Sequence, residues 1–301
     1  MTLEEEIMAE AKRLGFADAG IAVAAQSETI SIFDSWLNNG LAGNMTFLKK
    51  HRHIRSDIRN LLPDAKSVIV VAARYPTNPA PGTGFATYAR GRDYHTVIKA
   101  KLKLLSKFIS SRTDSTAHRA CVDSAPVLER EWAVRAGIGW LGKQGQVISP
   151  NAGCCILLGE LLVDIELKPS QRLESRCNSC RLCIEACPTG ALQEDGHVNS
   201  QLCISYLTIE HRGDIPGSLR KKMGQSLFGC DFCTSVCPWN TKGQNMILDE
   251  LSGQIMPTPE ECMAMTENDF ETRFMDSAVL RTGLKQLRRN AFIATDNRNI
   301  S

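Results

Sequence analysis

Along the first 170 residues the spacing of apolar positions changes repeatedly, and each change marks an element. Residues 1–15 are acidic and amphipathic. Thr2 and Glu5 have capping-box spacing and Gly15 follows the last apolar position, which predicts a helix over 3–14. DAGIAV (18–23) predicts a strand, and a helix fits 28–39, stopped by Gly40. SVIVVAA (67–73) is an unbroken apolar run, as in a buried strand. PTNPAPGTG (76–84) is a loop. From Tyr94, apolar residues recur at Val97, Ile98, Leu105, Phe108 and Ile109, the stripe of an amphipathic helix. RACVD (119–123) reads as a strand ending at an acid, followed by a helix over 127–136 and a Gly-rich turn over 137–145. CCILLGELLVDIEL (154–167) predicts a further strand with a bulge at Gly159.

This alternation of strands and helices predicts an α/β domain over 1–168. The texture then changes to short, cysteine-dense segments over 169–243. From 244 to 301 the pattern is helical, with helix-start signals in TPEECMAM (258–265) and TENDFETRF (266–274).

The 301 residues are 43% hydrophobic, enough for a real core. No apolar run approaches the ~20 residues of a membrane span. The N-terminus lacks the basic region, apolar core and cleavage site of a secretory signal. A soluble, cytoplasmic protein is expected, and in a reducing cytosol clustered cysteines are metal ligands rather than disulfides. The net charge of +2 says little about partners. Basic residues bunch at Lys49, Lys50, Arg52, Arg55 and Arg59, at Arg220, Lys221 and Lys222, and at Arg281, Lys285, Arg288 and Arg289. Such bunches either meet phosphates or are solvated helix faces.

Eight of the twelve cysteines form an array. The first block is Cys177-x2-Cys180-x2-Cys183-x3-Cys187-Pro188. The second is Cys230-x2-Cys233-x3-Cys237-Pro238, with Cys203 between them. The first spacing matches the bacterial ferredoxin run, whose fourth cysteine serves the other cluster. Crossing the blocks completes two ligand sets for four-iron, four-sulfur clusters. Cluster one takes Cys177, Cys180, Cys183 and Cys237; cluster two takes Cys187, Cys203, Cys230 and Cys233. Two zinc ions would also use eight thiolates, but this spacing suits tetrahedral zinc poorly. Cys121, Cys154, Cys155 and Cys262 sit among apolar neighbours and are expected to pack in the core.

Gly82 and Gly84 open a dinucleotide-like pattern, but Thr87 breaks it. Asp123 ends a predicted strand just before Pro126. It can be a desolvated proton donor or the N-cap of the next helix.

VDSAPVLEREWAVRAGIGWLGKQG (122–145) resembles the epoxyqueuosine reductases. So do YARGRDYH (88–95), CNSCRLCIEACPTGAL (177–192), CISYLTIEHRG (203–213) and GCDFCTSVCPWN (229–240). The resemblance runs in order from about residue 1 to 240. It implies reduction of epoxyqueuosine to queuosine at the tRNA wobble position, using base-off cobalamin and two four-iron clusters. The implied fold is a nitroreductase-like cobalamin domain, then a ferredoxin-like two-cluster domain and a short helical segment. The family's motif makes Asp123 the proton donor. It places Arg55, Ala86, Asp123, Val147, Leu158 and Ser205 at the cobalamin. Lys143 is expected to hold a corrin amide or a phosphate, or to be solvated. Asp93-Tyr94-His95 begins an Asp-x-His-x-x-Gly cobalt-ligand motif, but Ile98 stands where glycine should, so His95 is expected to be a structural or polar contact.

Many members carry a C-terminal helical-repeat segment, and this chain is expected to be a short form without it. The implied partners are epoxyqueuosine tRNA and an external electron donor, with the protein a monomer away from membranes. The rival readings are a cytoplasmic reductive dehalogenase-like enzyme and a non-catalytic two-cluster electron carrier. Because Cys203 begins the CISYL segment, cluster two is expected nearest the cobalt and cluster one at the point of electron entry.

Overall fold

A computed structural model describes residues 1–77, 84–115, 117–241 and 246–300. Gly82, most of the 76–84 loop and the boundary at 243/244 lie outside the described residues.

The described residues contain six strands, β1 (Asp18–Val23), β2 (Ser67–Arg74), β3 (His118–Cys121), β4 (Trp140–Leu141), β5 (Val147–Ile148) and β6 (Ile156–Val163). Four form one sheet in the order β1-β2-β6-β3, and every pairing in it is antiparallel. β2 and β3 therefore run the same way, joined through the helix Tyr94–Ser110, while β6 inserts between them. That is a split crossover, so strands and helices alternate in sequence although no two parallel strands touch. The mixed architecture is α+β.

All eight residues of β2 are buried. Ile69, Val71 and Ala73 pack under the helices Leu3–Arg13 and Tyr94–Ser110, through Ile7, Ile98 and Leu102. Val68, Val70 and Ala72 pack on the other face against Trp132 and Ala133 of the helix Glu129–Arg135. Covering both faces is what an unbroken apolar strand requires.

The predicted bulge at Gly159 does not occur. The β2–β6 register runs without interruption from Ser67↔Val163 to Arg74↔Ile156. Glycine is needed for close approach: a Cβ there would lie 2.6 Å from Ile98 Cγ2 and 3.1 Å from Leu102 Cδ1. The helix thus sits directly on the strand.

The first helix spans Leu3–Arg13 with the Thr2–Glu5 capping box formed. The second begins at Ile30 rather than 28. Ser27 Oγ, the Glu28 amide and Thr29 Oγ1 all donate to the Glu131 carboxylate, which holds that stretch out of the helix. The predicted Gly-rich turn carries β4, which pairs with β5 as a small hairpin.

At the C-terminus, Thr258 and Thr266 form capping boxes for Pro259–Ala264 and Glu267–Phe274. Leu284, Leu287 and Ala291 of the last helix (Leu284–Ile300) share a core with Phe85, Ala89, Leu227 and Phe228. Buried Asn290 donates to Thr208 O at 2.9 Å and Leu227 O at 2.8 Å. These contacts tie the last helix to the cysteine-rich segment. Among the described residues no helix is long and apolar enough to cross a membrane.

Candidate active site and cluster-binding sites

Short turns present the cysteines. The Cys180 amide bonds Cys177 O at 2.9 Å, and Asn178 between them takes a left-handed φ of 43°. Cys183 lies in the one-turn helix Leu182–Glu185, Cys233 in Phe232–Ser235, and Cys203 is the N-cap of Ile204–Ile209. Cys177, Cys180, Cys183 and Cys237 line one cavity of about 450 Å3 together with Ile148 and Trp239. The first ligand set is therefore brought together.

The second set is recognisable by its electrostatics. Burial, and then the neighbouring thiols Cys203 and Cys187, push Cys230 up to about 12. Burial, and then Cys230, Cys203 and Cys187, push Cys233 up further. Four thiolates in such company require compensating positive charge, which iron supplies. Cys183 of the first set also bears on Cys233, so the two sets adjoin. Among the described residues no three His, Cys, Asp or Glu converge as ligands of a single ion would. The first set surrounds space instead, as a polynuclear cube needs.

Lys143 lines the same cavity, but its ammonium is already engaged. Its Nζ donates to Asn178 O at 2.9 Å and Cys180 O at 3.0 Å, clamping the cluster-one turn. Cys121, Cys154, Cys155 and Cys262 are all buried, as expected. Cys154 packs beside Cys237.

Asp123 is not a helix N-cap. The next helix starts at Glu129, with Leu128 at its cap position. Asp123 instead takes a left-handed φ of 44°, an uncommon conformation for a non-glycine residue. Its amide donates to Glu129 Oε1, and its Oδ2 accepts from Tyr94 Oη at 3.0 Å. His95 Nε2 lies 3.0 Å from the same oxygen, while His95 Nδ1 lies 2.7 Å from Asp93 Oδ1. The imidazole stacks on Tyr94 with ring centroids 4.1 Å apart. Asp123 stands in a recess: protein surrounds it on most sides, yet 48% of its side chain is exposed.

The charges in this recess separate. Burial works to raise Asp123, but the hydrogen bond and charge of His95, then Tyr94 and Arg281, outweigh it and hold the carboxyl below its usual range. Burial works to lower His95, but its bonds to Asp123 and Asp93 carry it up to about 9. At neutral pH the pair is an imidazolium and a carboxylate. Burial, and then the Asp123 charge, push Glu129 up to about 8. Burial pushes Glu160 far above the carboxylate range, reinforced by Glu129 and Asp123. Four acid–base groups thus act on one another at this corner.

Of the residues expected at a cobalamin, Arg55 is buried, donates to Leu48 O at 3.1 Å and lies 5.8 Å from the Phe33 ring centroid. Val147 of the β4–β5 hairpin and Leu158 of β6 both pack in the core cluster that holds Trp132. The Ala86 amide donates to Phe228 O at 2.7 Å, and the adjacent Thr87 amide and hydroxyl both donate to Asp231 at 2.8 Å. Asp231 lies between Cys230 and Cys233, and Ser205 follows Cys203 on its helix. Ala86 and Ser205 therefore border the second thiol set. A buried cation, apolar side chains and a carboxyl are the kinds of group a large amphipathic cofactor needs.

Sequence reasoning missed Tyr94, Glu129 and Glu160 as parts of the recess. Glu160 carried a usable signal, because it shares strand parity with Leu158 and Leu162 and so faces inward. The basic bunches are partly spent on structure. Arg281 pairs with Glu210, and Arg289 donates to Leu207 O, His211 O and Gly213 O. Arg288 donates to Met265 O. Lys221 and Lys222 are exposed.

Two family models match: "4Fe-4S double cluster binding domain" over residues 176–240, and "Epoxyqueuosine reductase QueG, DUF1730" over residues 55–124. An epoxyqueuosine reductase of Cellulophaga algicola is 38% identical, covering 94% of this chain and 95% of that protein. A crystal structure of epoxyqueuosine reductase with an epoxyqueuosine-modified tyrosine tRNA stem loop superposes with a TM-score of 0.89. It is 31% identical and covers 98% of this chain and 81% of that one. The Bacillus subtilis enzyme, solved with an aspartate-bearing catalytic loop swung out of the active site, gives a TM-score of 0.87 at 31% identity, covering 98% of this chain and 81% of that one. With 38% identity across nearly the full length of both proteins, the chain belongs to the epoxyqueuosine reductase family.

Proposed function

We propose that this chain reduces the epoxide of epoxyqueuosine in tRNA to the alkene of queuosine, consuming two electrons and two protons and releasing water. The observation that carries this reading is the meeting of the Asp123–His95–Tyr94 corner with the Cys230–Cys233 turn. Tyr88 bridges them, its ring 6.1 Å from that of Tyr94 and 6.2 Å from that of Phe228, and Thr87 beside it holds Asp231. A two-cluster electron carrier has no use for a strained carboxylate in an open recess.

Cobalamin, when bound, supplies low-valent cobalt as the reductant of the substrate carbon, and the two four-iron clusters supply its electrons one at a time. Arg55, Ala86, Asp123, Val147, Leu158 and Ser205 are the residues proposed to hold it. Cys177, Cys180, Cys183 and Cys237 hold the first cluster, and Cys187, Cys203, Cys230 and Cys233 the second. Asp123 faces the substrate oxygen. Tyr94, whose phenol is kept protonated by burial and then by the Asp123 charge, fixes the carboxyl in place. His95 carries the proton that Asp123 passes on as a C–O bond opens. The division of the chain at 168/169 and 243/244 is proposed to separate the cofactor-holding unit, the cluster unit and the helical segment. The enzyme is proposed to act in the cytoplasm as a monomer, with an external one-electron donor.

The test is anaerobic reconstitution with iron, sulfide and cobalamin, then incubation with epoxyqueuosine tRNA and a reductant. Conversion to queuosine is expected. Asp123→Asn should still bind cobalamin and tRNA but lose turnover by about a hundredfold or more. Reconstituted protein that binds cobalamin but leaves the epoxide intact would overturn the reading.

A further inference from the structure

Two protons must reach the same substrate oxygen in each turnover, the first when the epoxide ring opens and the second when the hydroxyl leaves as water. The His95–Asp123 pair holds one. We propose, resting on the function above, that Glu129, backed by Glu160, stores the second proton and delivers it through Asp123.

Glu129 opens the helix that follows the Asp123 loop, and its Oε1 accepts the Asp123 amide. That bond fixes the left-handed residue and brings the two carboxyls to one corner. Behind them, Glu160 stands on β6 in register with Cys121, two residues before Asp123. Glu160 is fully buried, and among the described residues neither of its carboxyl oxygens has a hydrogen-bond partner. An ionised carboxylate in that position would cost several kcal/mol, on the order of a buried unpaired ion. Glu160 is therefore a neutral acid. A neutral acid behind Glu129 leaves the recess as the way out for the Glu129 proton.

The charged neighbours set the direction. Asp123 raises Glu129, while Arg130 and His95 oppose it. Glu129 and Asp123 act on Glu160, and Cys121 lies beside it as a thiol held neutral by burial. Tyr94 and Arg281 act on Asp123 itself. The balance leaves Glu129 protonated below about pH 8 and Asp123 ionised. A proton can then move from Glu129 to Asp123 once the His95 proton is spent.

The steps balance. The first proton leaves the His95–Asp123 pair for the epoxide oxygen as one C–O bond breaks. The second passes from Glu129 to Asp123 and on to the hydroxyl, which departs as water as the other C–O bond breaks. The two electrons come from the external donor, and solvent restores both protons.

Holoenzyme carrying both clusters and cobalamin tests this with Glu129→Gln. Wild-type turnover should fall above about pH 8, following the Glu129 carboxyl. The variant should lose at least about tenfold at pH 7 and lose that alkaline limb, with cobalamin and tRNA affinity retained. Infrared difference spectra of the wild type should show a protonated carboxyl band that fades near pH 8 and is absent in the variant. Should Glu129→Gln fail to load its clusters, the wild-type band decides alone, and no band titrating between pH 6 and 9.5 would overturn the proposal. An active wild type whose Glu129→Gln variant keeps the same rate and pH limb would sink this inference only. A wild type that leaves the epoxide intact would sink the underlying reading with it.

Discussion

Asp93→Asn isolates one charge without removing a contact. Asp93 caps the helix Tyr94–Ser110, accepting the His95 amide at 3.0 Å, and asparagine caps equally well. Its Oδ1 also lies 2.7 Å from His95 Nδ1, and asparagine can still accept there. What disappears is one of two carboxylate charges that hold His95 at about 9 against an ordinary 6.5. With Asp123 at 3.0 Å as the other, each supplies a comparable share, so His95 should fall by about one pH unit or slightly more. A full unit is about 1.4 kcal/mol. The His95 and Asp93 side chains are 26% and 29% exposed, and screening reduces the figure to about 1 kcal/mol.

A raised histidine contributes stability that is fully present below its unfolded value and lost as pH climbs through its folded one. The unfolded value is common to both proteins and cancels, so the destabilisation of Asp93→Asn should be full at pH 6, hold to about pH 7.5, shrink as pH passes the two folded values, about one unit below 9 and about 9, and be nearly gone by about 9.5. In thermal unfolding this is about 2 °C at pH 6 and nothing measurable at pH 9.5. NMR titration of isotopically labelled histidines, with His95→Gln for assignment, reads the imidazole directly. A penalty independent of pH, or a His95 titration unmoved by the substitution, would refute the electrostatic account.

Three further outcomes follow from the same geometry. Cys203→Ser should remove cluster two and spare cluster one, leaving about four irons per chain rather than about eight by iron and sulfide analysis. Gly159→Ala should lower stability by about 1–3 kcal/mol, because the new methyl meets Ile98 and Leu102 inside a packed layer. Calorimetry would show it, and an unchanged melting temperature would mean that the helix stands off the sheet. Reversing Lys221 and Lys222 to Glu should weaken tRNA binding and flatten the dependence of log affinity on log salt by about one to two; an unaltered slope would clear that surface.

The sequence was most legible where a pattern is local. The capping boxes at Thr2, Thr258 and Thr266 can be seen three residues apart, and β2 reads as buried because both its faces are apolar. The cysteine sets were legible because ligand spacing is a chemical constraint on the chain itself. What escaped depends on partners far away in sequence. Gly159 looks like a bulge until Ile98 is known to press on it. For Asp123 the pattern alone leaves proton donor and helix cap both open until Tyr94 and His95 claim its carboxyl. Lys143 reads as a free cation, yet two carbonyls of the cluster-one turn consume it. Glu160 is the extreme case: nothing nearby in sequence says that an acid between Gly159 and Leu161 faces other acids.

Exposure and contact also bear on the proposed order of the two clusters. Cys180 of the first set is exposed, although Cys183 and Cys237 beside it are buried, whereas Cys187, Cys203, Cys230 and Cys233 are all half-covered. An external donor must approach a cluster closely, and Cys180 is the proposed point of its approach. The second set reaches the recess through backbone. Gly229, with a φ of 71°, brings its own Cα so near Ala86 that a Cβ would lie 2.5 Å from the alanine methyl. Cys230 is the next residue, and Asp231 is already bonded to Thr87. A side chain at 229 would push the Cys230–Cys233 turn away from the recess and lengthen the last electron step. Close packing at that one glycine therefore does for electrons what the Asp123–His95 pair does for protons: it fixes the carrier against the place where the substrate must react.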